Sequence, residues 1–327
     1  MSTDVSKAVF RVAETDEEKE AVFRLRYDVY VEEMGRYHSV ADHDNRLFIE
    51  PEDDNAHLFY VELDGETVAT ARMNWGNAIS QRQITHYSLQ RFVDELPIDS
   101  LTVGERAMVR PNLRGTTLMM SMMMESLRFL NEHRIQLFFG ACEPHLLNLY
   151  LGLGQRAYSR KNINSAEAGY LIPLVLIPED VDYLRELNSP FAKVLQDYGD
   201  DARIPDNISD LLAEGGSVFS RTLASPTAYR ENVHATLNDL NEHRISAFDG
   251  MTEDEEATIL SKSNIIHCNA GDRVLKKGGV ARNLFVVRQG PWKRARMVAS
   301  LTSWAPAMFS ARSPSYWNGK ERWTCTR

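Results

Sequence analysis

The chain has little with which to build a metal site, a disulfide framework or a membrane anchor. Its three cysteines, Cys142, Cys268 and Cys325, are scattered and form neither a metal-ligand spacing nor a disulfide pattern. No metal is expected. No apolar run approaches the ~18 residues of a membrane span, so no span is expected. The opening stretch MSTDVSKAVFRVAETDEEKE lacks the apolar centre of a signal peptide; a cytoplasmic location is the expectation. Cations are also short: 37 Lys and Arg stand against 46 Asp and Glu, for a net charge of -9. That speaks against a nucleic-acid partner, because phosphate contacts need a surplus of Lys and Arg.

What is present is ordinary globular material, 43% hydrophobic and 25% charged over 327 residues, with room for two domains that each bury a core. The charge is uneven. Residues 291–327 hold seven Lys or Arg and one acid, Glu321, so this tail is +6 and the rest of the chain is -15. Four of the five tryptophans, Trp292, Trp304, Trp317 and Trp323, sit there as well. The tail has no strand period, reads as aberrant and is expected to lack fixed structure.

Residues 8–178 alternate strands and helices. EEKEAVFRLRYDVYVEEMG spaces Val22, Leu25, Arg26 and Val29 at helical intervals and stops at Gly35. AHLFYVELDGETVATARMNW gives two strands joined across Asp64-Gly65, a strong hairpin signal. LTVGERAMV is a strand and TTLMMSMMMESLRFLNEHR a helix of about five turns. IQLFFGACE, PHLLNLYLGLG and GYLIPLVLI follow as strand, short helix and strand. The fold class expected is α+β, a mixed sheet flanked by helices. Residues 179–243 read as a helical connector and 244–290 as a second unit, a helix feeding a partial β-roll.

The stretch ERAMVRPNLRGTTLMMSMM is the one with chemistry in view. Arg110-Pro111 ends a strand, since Pro offers no donor and restricts the residue before it. Asn112 to Thr117 then lead into a helix whose first amides have no partner within it. Gly115 permits a close approach or a positive φ, and Arg114 adds a charge. Such a terminus can hold an anion, at ~0.3–1 kcal/mol per exposed charge and ~2 when partly buried. An ordinary strand-to-helix turn explains the same residues equally well. Met119, Met120, Met122, Met123 and Met124 are core methionines or, alternatively, the lining of an acyl tunnel. His86, His133 and His145 show no ligand spacing.

Strand, R-G-T-T, helix, strand and then NLYLGLGQRAY together resemble the acyl-CoA-binding core of the GNAT acyltransferase superfamily. Asn112 stands at the first motif position, Gly115 matches a glycine, and Thr117 replaces the second. Asn148, Tyr150 and Gly154 match the later helix. The resemblance implies donor binding by Met108, Val109, Arg110, Arg114, Gly115, Thr116, Thr117 and Asn148. A β-branched Thr117 narrows the cradle, which favours a phosphopantetheine arm over free coenzyme A.

The amino-terminal half, LRYDVYVEEMGRY, EDDNAHLFYVELDGETVATARM and VGERAMV, is similar to two GNAT branches, the acyl-homoserine-lactone synthases and the long-chain N-acyl amino acid synthases. Arg26 and Tyr30 match the Arg-x-x-x-aromatic pattern, Asp53 or Asp54 its acidic residue, Arg72 the strand-end arginine, and Glu105-Arg106 the acidic-arginine pair. Arg36-Tyr37 stand where the lactone synthases have a tryptophan. The resemblance spans about residues 10–178. It implies an N-acyltransferase that takes an acyl group, long-chain in this branch, from acyl carrier protein or acyl-CoA to a small-molecule amine such as an amino acid. Backbone amides near Met108 to Arg110 would bind the thioester carbonyl, Tyr150 would protonate the leaving thiol, and Glu105 is the candidate base. Arg26 and Arg72 join the catalytic set. Tyr30, Asp54 and Arg106 are assigned to the acceptor, whose carboxylate a guanidinium would grip. Each arginine is equally readable as a structural ion pair, and Glu105 as its partner.

Phe248, Gly250, Gly271-Asp272, Gly279, Leu284-Phe285 and Gly290 resemble the opening of a cyclic-nucleotide-binding domain. The F-G-E cassette that holds the nucleotide in that family does not follow, so nucleotide binding is not expected of it. Two other functions stay open on sequence: an acetyl-CoA-dependent N-acetyltransferase, and a non-catalytic regulatory protein linked to cyclic nucleotides.

Overall fold

The computed structural model describes residues 4–212 apart from 166 and 168 and, beyond them, 218–220, 222–223, 225, 227–229, 231, 250–260, 263–268, 284–288 and 296–301. The chain divides into two units, one made of Met1–Ala141, Leu153–Gln155 and Leu174–Leu211, the other of Cys142–Gly152, Arg156–Pro173 and Leu212–Arg327.

The first unit is the expected mixed sheet with helices packed on it. Strand β1 (Val9–Val12) pairs antiparallel with β2 (His57–Leu63), β2 with β3 (Glu66–Trp75), and β3 with β4 (Leu101–Val109). Strand β5 (Leu137–Cys142) runs parallel to β4. The β2–β3 turn has Asp64 at φ 52° and Gly65 at φ 80°, both left-handed as a two-residue hairpin turn demands.

Helix α1 (Asp16–Arg26) starts at a reciprocal cap: Thr15 Oγ1 accepts from Glu18 N–H at 3.2 Å, and Glu18 accepts from Thr15 N–H at 3.0 Å. It buries Val22, Leu25 and Arg26. Over Tyr27–Glu33 the turns widen, with Met34 N–H donating back to Val29. A widened turn shifts the side chains after it to a new face and recurs at functional places. The short helices α2 (Gln81–His86) and α3 (Gln90–Glu95) lie between β3 and β4.

Helix α4 (Leu118–Glu132) buries Leu118, Met122, Ser126, Leu127 and Leu130, a stripe at helical spacing. Its first half packs on Val61, Val68, Ala69 and Val109, its second on Phe59, Met73 and Ile135. Met119, Met120, Met123 and Met124 are partly buried against the same clusters, so of the two sequence readings the core one holds. Each fully buried large apolar side chain contributes ~1.5–3 kcal/mol, and this stripe fixes α4 on the sheet.

The second unit holds α5 (Leu147–Gly152), β6 (Arg156–Ala157) and β7 (Ile163–Ser165), the last antiparallel to β8 (Gly169–Leu176). The segment after β8 is more than a connector. Helix α6 (Val181–Glu186) and the turns after it send Val181, Leu184, Phe191 and Leu195 into the core of the first unit with Phe59 and Leu130. The unit therefore runs to Leu211 within α7 (Ile208–Leu212), not to residue 178.

Farther on, β9 (Val218–Phe219), α8 (Glu253–Leu260), β10 (Ser263–Cys268), β11 (Leu284–Arg288) and β12 (Arg296–Leu301) follow, with strand order β11-β12-β10-β9. Strand β12 corrects the expectation of a tail without strand. It pairs antiparallel with both β10 and β11, whose open edges recruit a strand by main-chain bonds whatever its side-chain pattern. Phe248, Gly271, Asp272, Gly279 and Gly290 lie outside the described residues, as does the tail beyond Leu301.

Candidate active site

The parallel pairing of β4 with β5 covers Leu101–Leu137, Thr102–Phe138 and Val103–Phe139, whereas β4 runs on to Val109. Glycine is required where the pairing ends. A Cβ on Gly104 would sit 2.3 Å from Phe138 Cζ, so the ring rests against bare backbone there.

Just beyond, β4 carries a bulge. Thr70 of β3 faces Met108 and Arg72 faces Glu105, so two residues of β4, Arg106 and Ala107, stand opposite Ala71. Arg106 has φ 59°, the left-handed conformation that lets one strand residue bulge. Regular alternation would send Glu105 and Arg106 to opposite faces. The bulge instead brings both into one ion cluster.

That cluster is built from β3, β4, α1 and the turn before β2. Arg72 donates to Glu105 Oε2 at 2.6 Å, Glu50 Oε2 at 3.0 Å and Asp53 Oδ1 at 3.1 Å. Arg26 donates to Asp53 Oδ1 at 2.7 Å. Arg106 forks onto both oxygens of Glu50 at 2.6 Å, donates to Tyr37 Oη at 2.8 Å, and lies over the rings of Tyr30, Tyr37 and Phe48. Gln83 Nε2 and Tyr87 Oη donate to Glu105 at 2.7 and 2.9 Å. Arg82 pairs with Glu52, and Asn74 ties Gln83 to the Glu52 carbonyl. Four arginines thus meet four carboxylates, with both Glu105 oxygens engaged.

The energetics follow from burial. Arg26 and Arg72 side chains are 0% exposed, Glu105 14% and Arg106 16%. Burial raises the Glu105 carboxyl, but Arg72 and Arg106 outweigh it and hold the group down at about 2. Asp53 is likewise lowered, burial being overcome by Arg26 and Arg72. Burial pulls Arg26 down, yet a guanidinium stays protonated. Its Nε and Nη2, with Arg72 Nε, find no partner among the described residues.

The residues of the loop after β4 follow. Arg110 N–H donates to the Val68 carbonyl at 2.8 Å, and Met108 shares that register. Alternation then turns the Val109 amide away from β3, toward the side where β5 no longer pairs. Of the three amides expected to grip a carbonyl, Val109 is the one available. Gly115 has φ 82° and open space where a Cβ would be. Thr117, at the head of α4, makes no side-chain cap. The first ladder bond runs from Ser121 N–H to the Thr117 carbonyl, and the amides of Met119 and Met120 have no acceptor among the described residues. An uncapped helix head of this kind is suited to a phosphate.

Residues 25–124 match the acetyltransferase (GNAT) domain. The match takes in the last two residues of α1, the ion cluster, β4 and the loop that follows it. No curated protein matches the chain. Among the solved structures similar to it are the following three. Escherichia coli ElaA is 18% identical over 52% of this chain and 99% of its own, with TM-score 0.38. The CoA-dependent acyl-homoserine lactone synthase BjaI, solved with SAM and isopentyl-CoA, is 16% identical over 62% and 98%, with TM-score 0.44. FeeM, an N-acyl amino acid synthase from uncultured soil microbes, is 16% identical over 58% and 99%, with TM-score 0.43.

In this GNAT-like domain several sequence expectations change. Asp53, not Asp54, enters the cluster: Asp53 accepts from Glu50 N–H at 2.7 Å and is buried, while Asp54 is exposed. Arg26 and Arg72 are wholly buried, which makes them framework rather than surface groups. Glu105 is too acidic and too fully bonded to suit the part of a base. Tyr30 packs edge-on to Tyr37 and Phe48. Arg114 is held by Glu33 and Arg110 by Glu66. Thr116 Oγ1 donates to the Leu113 carbonyl at 2.7 Å.

Asn148 and Tyr150 fall in the second unit on α5. Asn148 is exposed and its Oδ1 accepts from Asn264 at 2.7 Å. Sequence reasoning missed Glu50, Glu52, Gln83, Tyr87 and Tyr37. The spacing of Glu50, Glu52 and Asp53 around Pro51 was the available signal, since a proline-started turn aims its acids together.

Proposed function

We propose that the chain is an N-acyltransferase moving an acyl group, long-chain by preference, from a phosphopantetheine thioester to a small-molecule amine such as an amino acid. Acyl carrier protein and acyl-CoA are the two donors of that chemistry. The observation that carries the reading is the continuity of β4. One strand supplies the cluster members Glu105 and Arg106, then the outward Val109 amide, then the loop whose free amides head α4. The GNAT domain match over the same residues supports it.

In this reading the thioester carbonyl accepts from Val109 N–H, a donor fixed by the sheet and acting where negative charge develops. The neutral amine attacks, the N–C bond forms and the C–S bond breaks. The amine gives its proton to solvent, and the departing thiolate takes one up from solvent. Glu105 and Arg106, on the more open side of the cluster, orient the acceptor with Tyr30, and Arg72 and Arg26 hold them in place.

Acyl carrier protein thioesters and acyl-CoA of graded chain length, each with a pool of amino acids, give the test. Thiol release is followed spectroscopically and amides by mass spectrometry. Long-chain amides with amine-dependent thiol release are expected. Acetylation confined to acetyl-CoA would replace this reading with a short-chain one, and no turnover with any donor would contradict it.

A further inference from the structure

The loop Arg110–Thr117 contains two charged side chains, Arg110 and Arg114. Both are paired with a carboxylate. Arg114 forks onto Glu33 with Nη1–Oε1 at 2.5 Å and Nη2–Oε2 at 2.6 Å, and its Nε donates to the Val109 carbonyl at 3.2 Å. Arg110 donates to Glu66 at 3.0 Å and to the Thr67 carbonyl at 3.0 Å. The loop is therefore charge-neutral where it meets a donor, and what it offers an anion is backbone amides beside the open Gly115.

From this we infer that Glu33 sets donor preference: by neutralising Arg114 it disfavours the polyphosphate end of coenzyme A and favours the single phosphodiester of a carrier-protein arm. The inference rests on the proposed reading of this loop as the donor site. Glu33 closes the widened turn Tyr27–Glu33, so that turn delivers a carboxylate to a loop far along the chain. Coenzyme A brings a pyrophosphate and a ribose phosphate. A helix head can hold phosphate with amides alone, whereas unpaired cations add to the hold on a polyphosphate, and here the two arginines of the loop are paired with carboxylates. Thr117, at the place where the second glycine of the motif would leave more room, acts in the same direction. The Arg114–Glu33 pair is partly exposed, with side chains 40% and 35% accessible, so its influence is electrostatic and sensitive to salt.

The full chain is titrated calorimetrically with coenzyme A and separately with 4′-phosphopantetheine, as wild type, Glu33→Gln, Arg114→Ala and the double variant. Neither residue is part of a core, and thermal melts check that each variant folds. Glu33→Gln is expected to tighten coenzyme A about five- to tenfold, between the effects of an exposed and a partly buried charge, and phosphopantetheine less than half as much on the logarithmic scale. The gain should vanish in Glu33→Gln/Arg114→Ala, since it acts through Arg114, and should fade in molar salt. Binding of both ligands with no change on Glu33→Gln, or a gain that survives loss of Arg114, overturns the inference alone. Binding of neither ligand by any variant removes the donor-site reading and this inference with it.

Discussion

Glu105 and Arg106 are consecutive in β4, yet Arg72 bonds the first and Glu50, itself bonded to Arg72, bonds the second. Side chains next to each other on a strand share a face only where the alternation breaks, and here the bulge with Arg106 at φ 59° breaks it. The acid-arginine pair thus works as one unit that links the sheet to the Glu50–Asp53 turn. Arg106→Lys keeps the charge but loses the fork onto Glu50 and the bond to Tyr37. A fall in kcat/KM of about tenfold or more is expected for a site positioned to this tolerance, with the same acceptor preference; an unchanged rate would take Arg106 out of the acceptor site.

Acid stability is set in part by the same cluster. The Glu105 carboxyl is lowered from 4.5 to about 2. Its charged form therefore supports folding above pH 4.5, and that support is lost as the pH falls from there toward 2. The stake is about 3 kcal/mol. Urea unfolding across this range should show a steep loss for the wild type and a flatter curve, lower at neutral pH, for Glu105→Gln. Equal slopes would mean that the carboxylate is not held as described.

Removal of Arg72 should be worse than a loss of activity. It would leave Glu50, Asp53 and Glu105 with less compensation in a buried place, at a cost of ~3–5 kcal/mol. The change Arg72→Ala is expected to yield little folded protein, and circular dichroism with a melting curve decides it. A variant that melts like the wild type but is inactive would return Arg72 to a direct catalytic role.

Gly104 and Phe138 fit only one another's present shapes. Gly104→Ala would place a Cβ 2.3 Å from the ring, and overpacking of this kind costs ~1–3 kcal/mol. Adding Phe138→Leu should recover part of the loss. If the single change proves neutral, the ring is free to move and the end of the β4–β5 pairing is not fixed by this contact.

Much of this was readable beforehand. The Asp64-Gly65 hairpin, the β4 strand, the methionine helix and the Arg26, Arg72, Glu105 and Arg106 constellation all follow from pattern or motif. What pattern could not show depends on backbone geometry. Arg106 carries no mark of a left-handed conformation, so the bulge stayed hidden. Asp53 and Asp54 are chemically alike, and only the turn started by Pro51 makes the first cap Glu50 and leaves the second exposed. Residues 179–211 look weakly patterned because single residues such as Leu184 and Phe191 dock on a core already built, rather than a whole amphipathic face. Arg114 reads as a free cation until the widened turn brings Glu33 to it.

Val109 offers a sharp chemical test. Its amide is not spent on β3, so Val109→Pro removes a donor without breaking a ladder bond. The expected effect is a fall in kcat of roughly 10²- to 10³-fold, as for loss of one preorganised oxyanion donor. Val109→Ala, which keeps the amide, should remain within about tenfold of wild type on the same grounds. Similar rates for both variants would assign the carbonyl to another donor.

The most direct measurement is amide chemical-shift mapping on the nitrogen-15-labelled full chain during titration with 4′-phosphopantetheine. Shifts concentrated at Val109, Gly115, Thr117, Met119 and Met120 are expected, with Val68 and Ala69 little moved. Saturable binding that leaves those amides unperturbed would contradict the assignment of this loop and helix head to the donor.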